Sequence, residues 1–174
     1  MTSNQLRTLI SAERIRSRIK ELGIEIRNKF GDKPICCICV LKGASLFAAD
    51  LIRCIEGDTE IYFVQVSSYH GNISSSGEMN LVIPLNADIA GKDVLIVEDI
   101  VDTGLTIQFL KKYLKDFNPL SVGVVSLLDK PSNREVEVDV EYVGFSIPNE
   151  FVVGFGLDYQ EKFRNLDHVA IYIP

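Results

Sequence analysis

The chain has 174 residues, 47% of them hydrophobic, and a formal net charge of -6. That size and apolar content suit one ordinary globular domain over residues 1–174, with a core large enough to bury most of its apolar surface. No apolar run approaches the ~18 residues that span a bilayer, the N-terminus MTSNQLRTLISAERIR carries charges where a signal peptide needs an apolar stretch, and the acidic balance leaves no electrostatic footprint for nucleic acid, so a cytoplasmic protein is expected.

After Ser11, a helix N-cap residue, Ile15, Ile19, Leu22, Ile26 and Phe30 recur at helical spacing until Gly31-Asp32 stops the pattern. PICCICVL then has the form of a fully buried strand. Its Cys36 and Cys39 make a formal C-x-x-C, but Cys54, His70 and His168 complete no zinc spacing, and a redox motif would open a helix rather than lie in a strand. Buried, reduced thiols are expected. ASLFAADLIRCI reads as a helix and TEIYFVQVSS as a strand, followed by YHGNISSSGEMN, a polar segment from Tyr69 to Asn80 that reads as a mobile loop. The strand DVLIV, a helix from about Thr103 to Asp116, the strand LSVGVVSLL and a β-leaning final third ending in HVAIYIP complete the chain. Apolar strands interleaved with helices predict an α/β fold with a mainly parallel sheet covered on both faces. Ligands then bind beyond the carboxyl ends of the strands, at a switch point of the topology.

The stretch VLIVEDIVDTGLT concentrates its polarity at that end of its strand. Asp102, Thr103, Gly104, Leu105 and Thr106 would turn into a helix, presenting free amides, two hydroxyls and the positive end of the helix dipole to an anion. Glu98 and Asp99 would put two carboxylates at the strand exit, suited to vicinal sugar hydroxyls directly or through a divalent cation. A phosphate subsite beside a diol subsite describes a ribose 5-phosphate. Other readings fail: no G-x-x-x-x-G-K-[ST] occurs, Tyr159 stands where a dinucleotide fingerprint starting at Gly154 needs its third glycine, and the aspartic protease triplet Asp102-Thr103-Gly104 leads into a helix. If these acids merely capped a helix, Glu98-Asp99 would be unexplained.

VLIVEDIVDTGLT resembles the phosphoribosyl pyrophosphate signature of the type I phosphoribosyltransferases. LKGASLFAADLI, SSYHG, SLLDKPSNR and EFVVGFGLDYQEKFRNL resemble, in order, further motifs of the family's purine branch, over nearly the whole chain. The resemblance implies a Rossmann-like sheet with a small hood subdomain built from the N- and C-terminal segments. It also implies an activity: transfer of the phosphoribosyl group to hypoxanthine or guanine, with magnesium, in a homodimer or homotetramer. A regulator on the same fold that senses phosphoribosyl pyrophosphate and binds RNA is the alternative, and it would need a basic surface.

Residue by residue, the resemblance puts Leu41, Lys42 and Gly43 in a pyrophosphate loop with a non-proline cis peptide at Leu41-Lys42. It puts Glu98 and Asp99 on ribose and metal, and Asp102 to Thr106 on the 5-phosphate; Leu105 occupies a variable position. Asp102 is also implied as the general base for the proton on N7 of the purine. Lys130 is implied to donate to O6, Phe151 to stack on the purine, Val152 to offer backbone groups to its edge, Asp158, grouped with the purine-binding residues, to bind a second magnesium on the pyrophosphate, and Arg164 to contact pyrophosphate. Ser68 and Tyr69 open a closing loop. Read alone, Phe151 and Val152 would be core residues, and Asp158 and Arg164 a surface ion pair.

Overall fold

A computed structural model describes residues 6–68 and 79–173. The chain runs β1 (Leu6–Ile10), α1 (Ala12–Phe30), β2 (Ile35–Leu41), α2 (Ser45–Ile52), β3 (Thr59–Ser68), β4 (Met79–Ile83), β5 (Asp93–Val101), α3 (Leu105–Lys115), β6 (Ser121–Asp129), β7 (Tyr142–Ser146), β8 (Val152–Val153) and β9 (Val169–Tyr172). Two sheets result. The larger has the order β4-β3-β2-β5-β6-β7 and the smaller β1-β9-β8. All neighbours in the larger sheet are parallel except β3 and β4.

Alternation along the central strands builds a core on each face, because successive side chains of a strand point to opposite sides. Cys37, Cys39, Leu95, Val97, Val125 and Leu127 face α1 and α2, and pack on Ile15, Ile19, Leu22, Phe47 and Leu51. Cys36, Ile38, Val94, Ile96 and Val124 face α3, and pack on Ile107, Leu110 and Leu114. The four cysteines are free, three of them buried. Burial pushes the Cys36 thiol up to about 11 and those of Cys37 and Cys39 up to about 12, so they stay protonated and unreactive at neutral pH.

Helix α1 has the boundaries its sequence signals predict. Ser11 Oγ accepts the Arg14 amide at 3.4 Å, and the Gly31 amide donates to Arg27 O at 2.7 Å. Its Arg18 reaches the far edge of the sheet, donating to Val143 O at 2.9 Å and Gly144 O at 3.2 Å on β7. No helix among the described residues is long and apolar enough to cross a membrane.

Four boundaries differ from expectation. Met79 and Asn80 open β4 rather than close a loop, because they pair with Ser68 and Ser67. Strand β5 continues through Glu98 and Asp99 to Val101, held by pairing with β6, so both acids lie in the strand's last residues. Helix α3 starts at Leu105 rather than Thr103, since Gly104 takes a left-handed conformation (φ 88°). The predicted helix ASLFAADLIRCI ends at Ile52. The segment Leu6–Ile10, unassigned by its sequence, is a strand of the hood sheet through antiparallel pairing with β9.

Candidate active site

In sheet order, β3 follows β2 on one side while β5, β6 and β7 run out on the other, so the direction of winding reverses between β2 and β5. Crossovers leave that point in opposite directions and open a crevice at the carboxyl ends of the two strands. A cleft of about 390 Å³ sits there. Its walls take in Leu41–Gly43 after β2, the acids at the end of β5, the turn into α3, and Asp158 and Arg164 from the hood.

Leu41-Lys42 is a cis peptide, as expected. Gly43 allows a close approach that any side chain would prevent: a Cβ there would stand 1.7 Å from Asp99 Oδ2. A Cβ on Gly156 of the hood would in turn stand 2.0 Å from Gly43 O. Hood, loop and β5 carboxylate are thus stacked through two glycines.

Glu98 is buried, and its Oε1 accepts the Asp99 amide at 3.3 Å. Its Oε2 is buried with no hydrogen-bond partner among the described residues. Burial, and next the neighbouring Asp99 charge, hold the Glu98 carboxyl well above the usual carboxylate range. Burial also raises Asp99, against the opposing pull of its hydrogen bonds and of Arg164. Two acids that charge reluctantly, one with an orphaned oxygen, make a site that gains from a cation.

Past Val101 the chain turns through Asp102 and Thr103 into α3. The helix has no side-chain N-cap bond, and Thr103, Gly104 and Thr106 at its start line the cleft. Thr103 Oγ1 accepts the Leu105 amide at 3.4 Å. Lys130, at the end of β6, is buried, and its Nζ lies 3.8 Å from Asp102 Oδ2. A buried ammonium and a half-buried carboxylate therefore stand side by side above the turn.

Phe151 is exposed at 53%, contrary to a core reading, while Val152 is buried as the first residue of β8. The Phe151 ring stands edge-to-face with both Tyr159 and Tyr172, at 5.8 and 6.2 Å between centroids. Arg164 donates to Gly156 O at 2.7 Å and pairs with Asp158 at 2.8 Å. Phe155, Gln160, Glu161 and Phe163 all have positive φ, between 50° and 75°. Such strain in non-glycine residues gathers where surrounding structure fixes a backbone for use. Ser68 ends β3, and Tyr69, with the rest of the proposed closing loop to residue 78, lies outside the described residues.

A sequence profile of the phosphoribosyl transferase domain matches residues 8–160. A curated hypoxanthine-guanine phosphoribosyltransferase of Staphylococcus aureus is 42% identical over 95% of this chain and 93% of its own. The chain belongs to the hypoxanthine-guanine phosphoribosyltransferase family. A crystal structure of such an enzyme from Bacillus anthracis, with HEPES in its active site, matches at a TM-score of 0.93 and 44% identity, covering 98% of this chain and 100% of that one. The chain also spans 26% of the length of the bifunctional protein TilS/HprT of Listeria monocytogenes, at 44% identity.

Several residues that border the cleft of this phosphoribosyltransferase chain are not singled out by its sequence. Glu161 pairs with Lys42 at 3.2 Å and faces Arg164 at 3.4 Å. Asn133 donates from Nδ2 to Asp102 Oδ1, and Arg134 donates to the carbonyls of Val101 and Asp102 while pairing with Asp129. The run SLLDKPSNR contains three of these, Asp129, Asn133 and Arg134. Its density of polar side chains directly after an apolar strand was the available signal.

Proposed function

We propose that the chain is a purine salvage enzyme that transfers the 5-phosphoribosyl group from 5-phosphoribosyl 1-pyrophosphate to hypoxanthine or guanine, giving IMP or GMP and pyrophosphate. The observation that carries this reading is the Lys130 Nζ, 3.8 Å from Asp102 Oδ2, above a helix N-terminus. A 6-oxopurine presents an O6 acceptor beside an N7–H donor on one edge. A donor-only ammonium next to a carboxylate is the complement of that edge.

N9 of the base attacks C1 of the ribose, and the bond from C1 to the pyrophosphate oxygen breaks with its electron pair leaving on pyrophosphate. The N7–H proton passes to the Asp102 carboxylate, and the N–H bonding pair remains in the imidazole ring. The carboxylate also offsets positive charge developing at C1. Thr103, Gly104, Leu105 and Thr106 hold the 5-phosphate at the start of α3. Leu41, Lys42, Gly43 and Arg164 hold the pyrophosphate, Phe151 stacks on the base and Val152 presents backbone to it. Ser68 and Tyr69 lead into the loop assigned to exclude water.

Magnesium fits the donors present. Glu98 and Asp99 are hard oxygen ligands with an orphaned buried oxygen between them, and magnesium commonly takes one or two carboxylates and completes its shell with substrate oxygens and water. No cluster of three or more ligating side chains is present among the described residues, in keeping with a metal shared with the substrate. Bound there, and at Asp158 once that carboxylate exchanges Arg164 for metal, magnesium would neutralise charge on the leaving pyrophosphate.

We read the six-stranded sheet and the hood as a single functional unit, because the cleft draws residues from both. Exposed Phe63, Val82 and Ile83 near the β4 edge suit contact with a second copy in a homodimer or homotetramer, which sedimentation would count. Four free thiols suit a cytoplasmic location. No observation favours the RNA-binding alternative. The deciding experiment incubates the protein with phosphoribosyl pyrophosphate, magnesium and each purine base in turn and measures nucleotide formed. Absence of IMP and GMP would overturn the proposal.

A further inference from the structure

The turn after β6 is bonded to Val101 at the end of β5 and to Asp102 and Thr103 in the loop that leaves it. The Lys130 amide donates to Val101 O at 3.0 Å, and the amides of Glu135 and Val136 donate to Thr103 O at 3.0 and 3.2 Å. Arg134 bridges the carbonyls of Val101 and Asp102. These contacts fix backbone. One further contact reaches the functional group itself: Asn133, in the short 3-10 turn Pro131–Asn133, donates its side-chain amide to Oδ1 of Asp102. The two oxygens of that carboxylate therefore have different neighbours, Asn133 at Oδ1 and the Lys130 ammonium, 3.8 Å away, at Oδ2.

We propose that Asn133 is a positioning residue that pins Asp102 through Oδ1 and so assigns the transferred proton to Oδ2. The inference rests on the reading of Asp102 as general base. An unpinned carboxylate rotates about its last torsion, which is broad and two-fold, and exchanges its oxygens. An amide nitrogen donates and cannot accept, so it stops that rotation and occupies one oxygen. The oxygen left for N7 is the one beside Lys130, so the acceptor and the donor meant for adjacent atoms of the purine edge are held together. The turn supplies its own rigidity, with Pro131 at its start and the Asn133 amide donating to Lys130 O at 3.1 Å.

The test is a double-mutant cycle on the whole protein with Asn133→Leu and Asp102→Asn, measuring kcat, KM for phosphoribosyl pyrophosphate and melting temperature. Asn133→Leu keeps the branching at Cγ, with more bulk, and removes the donor. A kcat loss of roughly tenfold is expected with KM within twofold of the parent, since orientation rather than binding is lost. In the Asp102→Asn background the same change should cost nothing further, because no base remains to be oriented. A full loss in both backgrounds, or a kcat loss that only tracks a falling melting temperature, would make Asn133 structural and overturn the inference. Undiminished kcat in Asn133→Leu would overturn it as well, leaving Asp102 as base if Asp102→Asn is still inactive. Undiminished kcat in Asp102→Asn would instead remove the base reading itself. If Asn133→Leu does not fold, the isosteric Asn133→Asp, which sets a carboxylate against Asp102, should lose tenfold or more, and parental kcat there would refute the proposal.

Discussion

Gly43→Ala tests whether the close approach of the β2 loop to Asp99 is functional. The added Cβ would stand 1.7 Å from Asp99 Oδ2 and 2.6 Å from its Cγ. Real Cβ atoms essentially never come within 3.0 Å of a neighbour, so 3.0 less 1.7 leaves at least 1.3 Å of movement to be found. Asp99 resists, because its Oδ1 accepts the Ile100 amide at 2.9 Å. If the carboxylate moves, the proposed ribose and metal subsite is lost; if the loop moves, Lys42 shifts with it. Misplacement by about 1 Å costs on the order of 10²-fold, so kcat/KM for phosphoribosyl pyrophosphate should fall about that far, near 2.7 kcal/mol. The fold should survive, since relief needs only one side chain or one loop to move, and melting temperature should change by no more than about 4 °C. Steady-state kinetics with phosphoribosyl pyrophosphate as varied substrate, beside thermal denaturation, separate the two effects. A kcat/KM within threefold of the parent would refute the argument.

Lys130→Met should lose most of its kcat/KM on hypoxanthine and narrow the parent's preference for hypoxanthine over adenine, expected near 10⁴-fold because adenine offers a donor where the ammonium also donates. Comparing both bases in both proteins decides it, and an unchanged ratio would show that Lys130 does not read O6. Glu98→Gln should lose activity yet gain stability with rising pH. The fold raises the Glu98 carboxyl above its ordinary 4.5, so its favourable contribution is complete below that value and lost as pH rises through the folded value. The variant should therefore melt above the parent at alkaline pH, with the gap closing on acidification, and a gap independent of pH would count against the burial argument. Excess EDTA should abolish nucleotide formation and added magnesium restore it; turnover untouched by the chelator would remove the metal from Glu98, Asp99 and Asp158.

What could be read from the sequence was what depends on near neighbours. The helical spacing of Ile15, Ile19, Leu22 and Ile26, with Ser11 and Gly31 at its ends, specifies α1 without reference to the rest of the chain. Glu98 and Asp99 stood out because charge inside an apolar strand needs a reason. Strands β1 and β4 did not stand out, since each is defined by pairing at a sheet edge, Leu6 with Tyr172 and Met79 with Ser68. The same holds in the cleft. Lys42 and Glu161 are 119 residues apart, Asn133 and Asp102 are 31 apart, and neither contact leaves any periodic trace.

An acidic chain proposed to bind a polyanion must keep the cations of its site accounted for while empty, and the ion pairs show how. Lys42 is matched by Glu161, Arg164 by Asp158 and Lys130 by Asp102. The pairs are not equivalent. The side chains of Lys42 and Glu161 are 56% and 65% exposed, and an exposed pair is worth ~1 kcal/mol or less, so a pyrophosphate group can displace Glu161 at small cost. The Lys130 side chain is 8% exposed and that of Asp102 40%, so parting this pair leaves a buried ammonium uncompensated and costs more than parting the outer one. Substrate entry is therefore expected to exchange partners at the mouth of the cleft and to leave the inner pair intact. On the proposed reading, the mouth would hold an anion that must later leave, while the inner pair would keep the geometry assigned to reading the base and taking its proton.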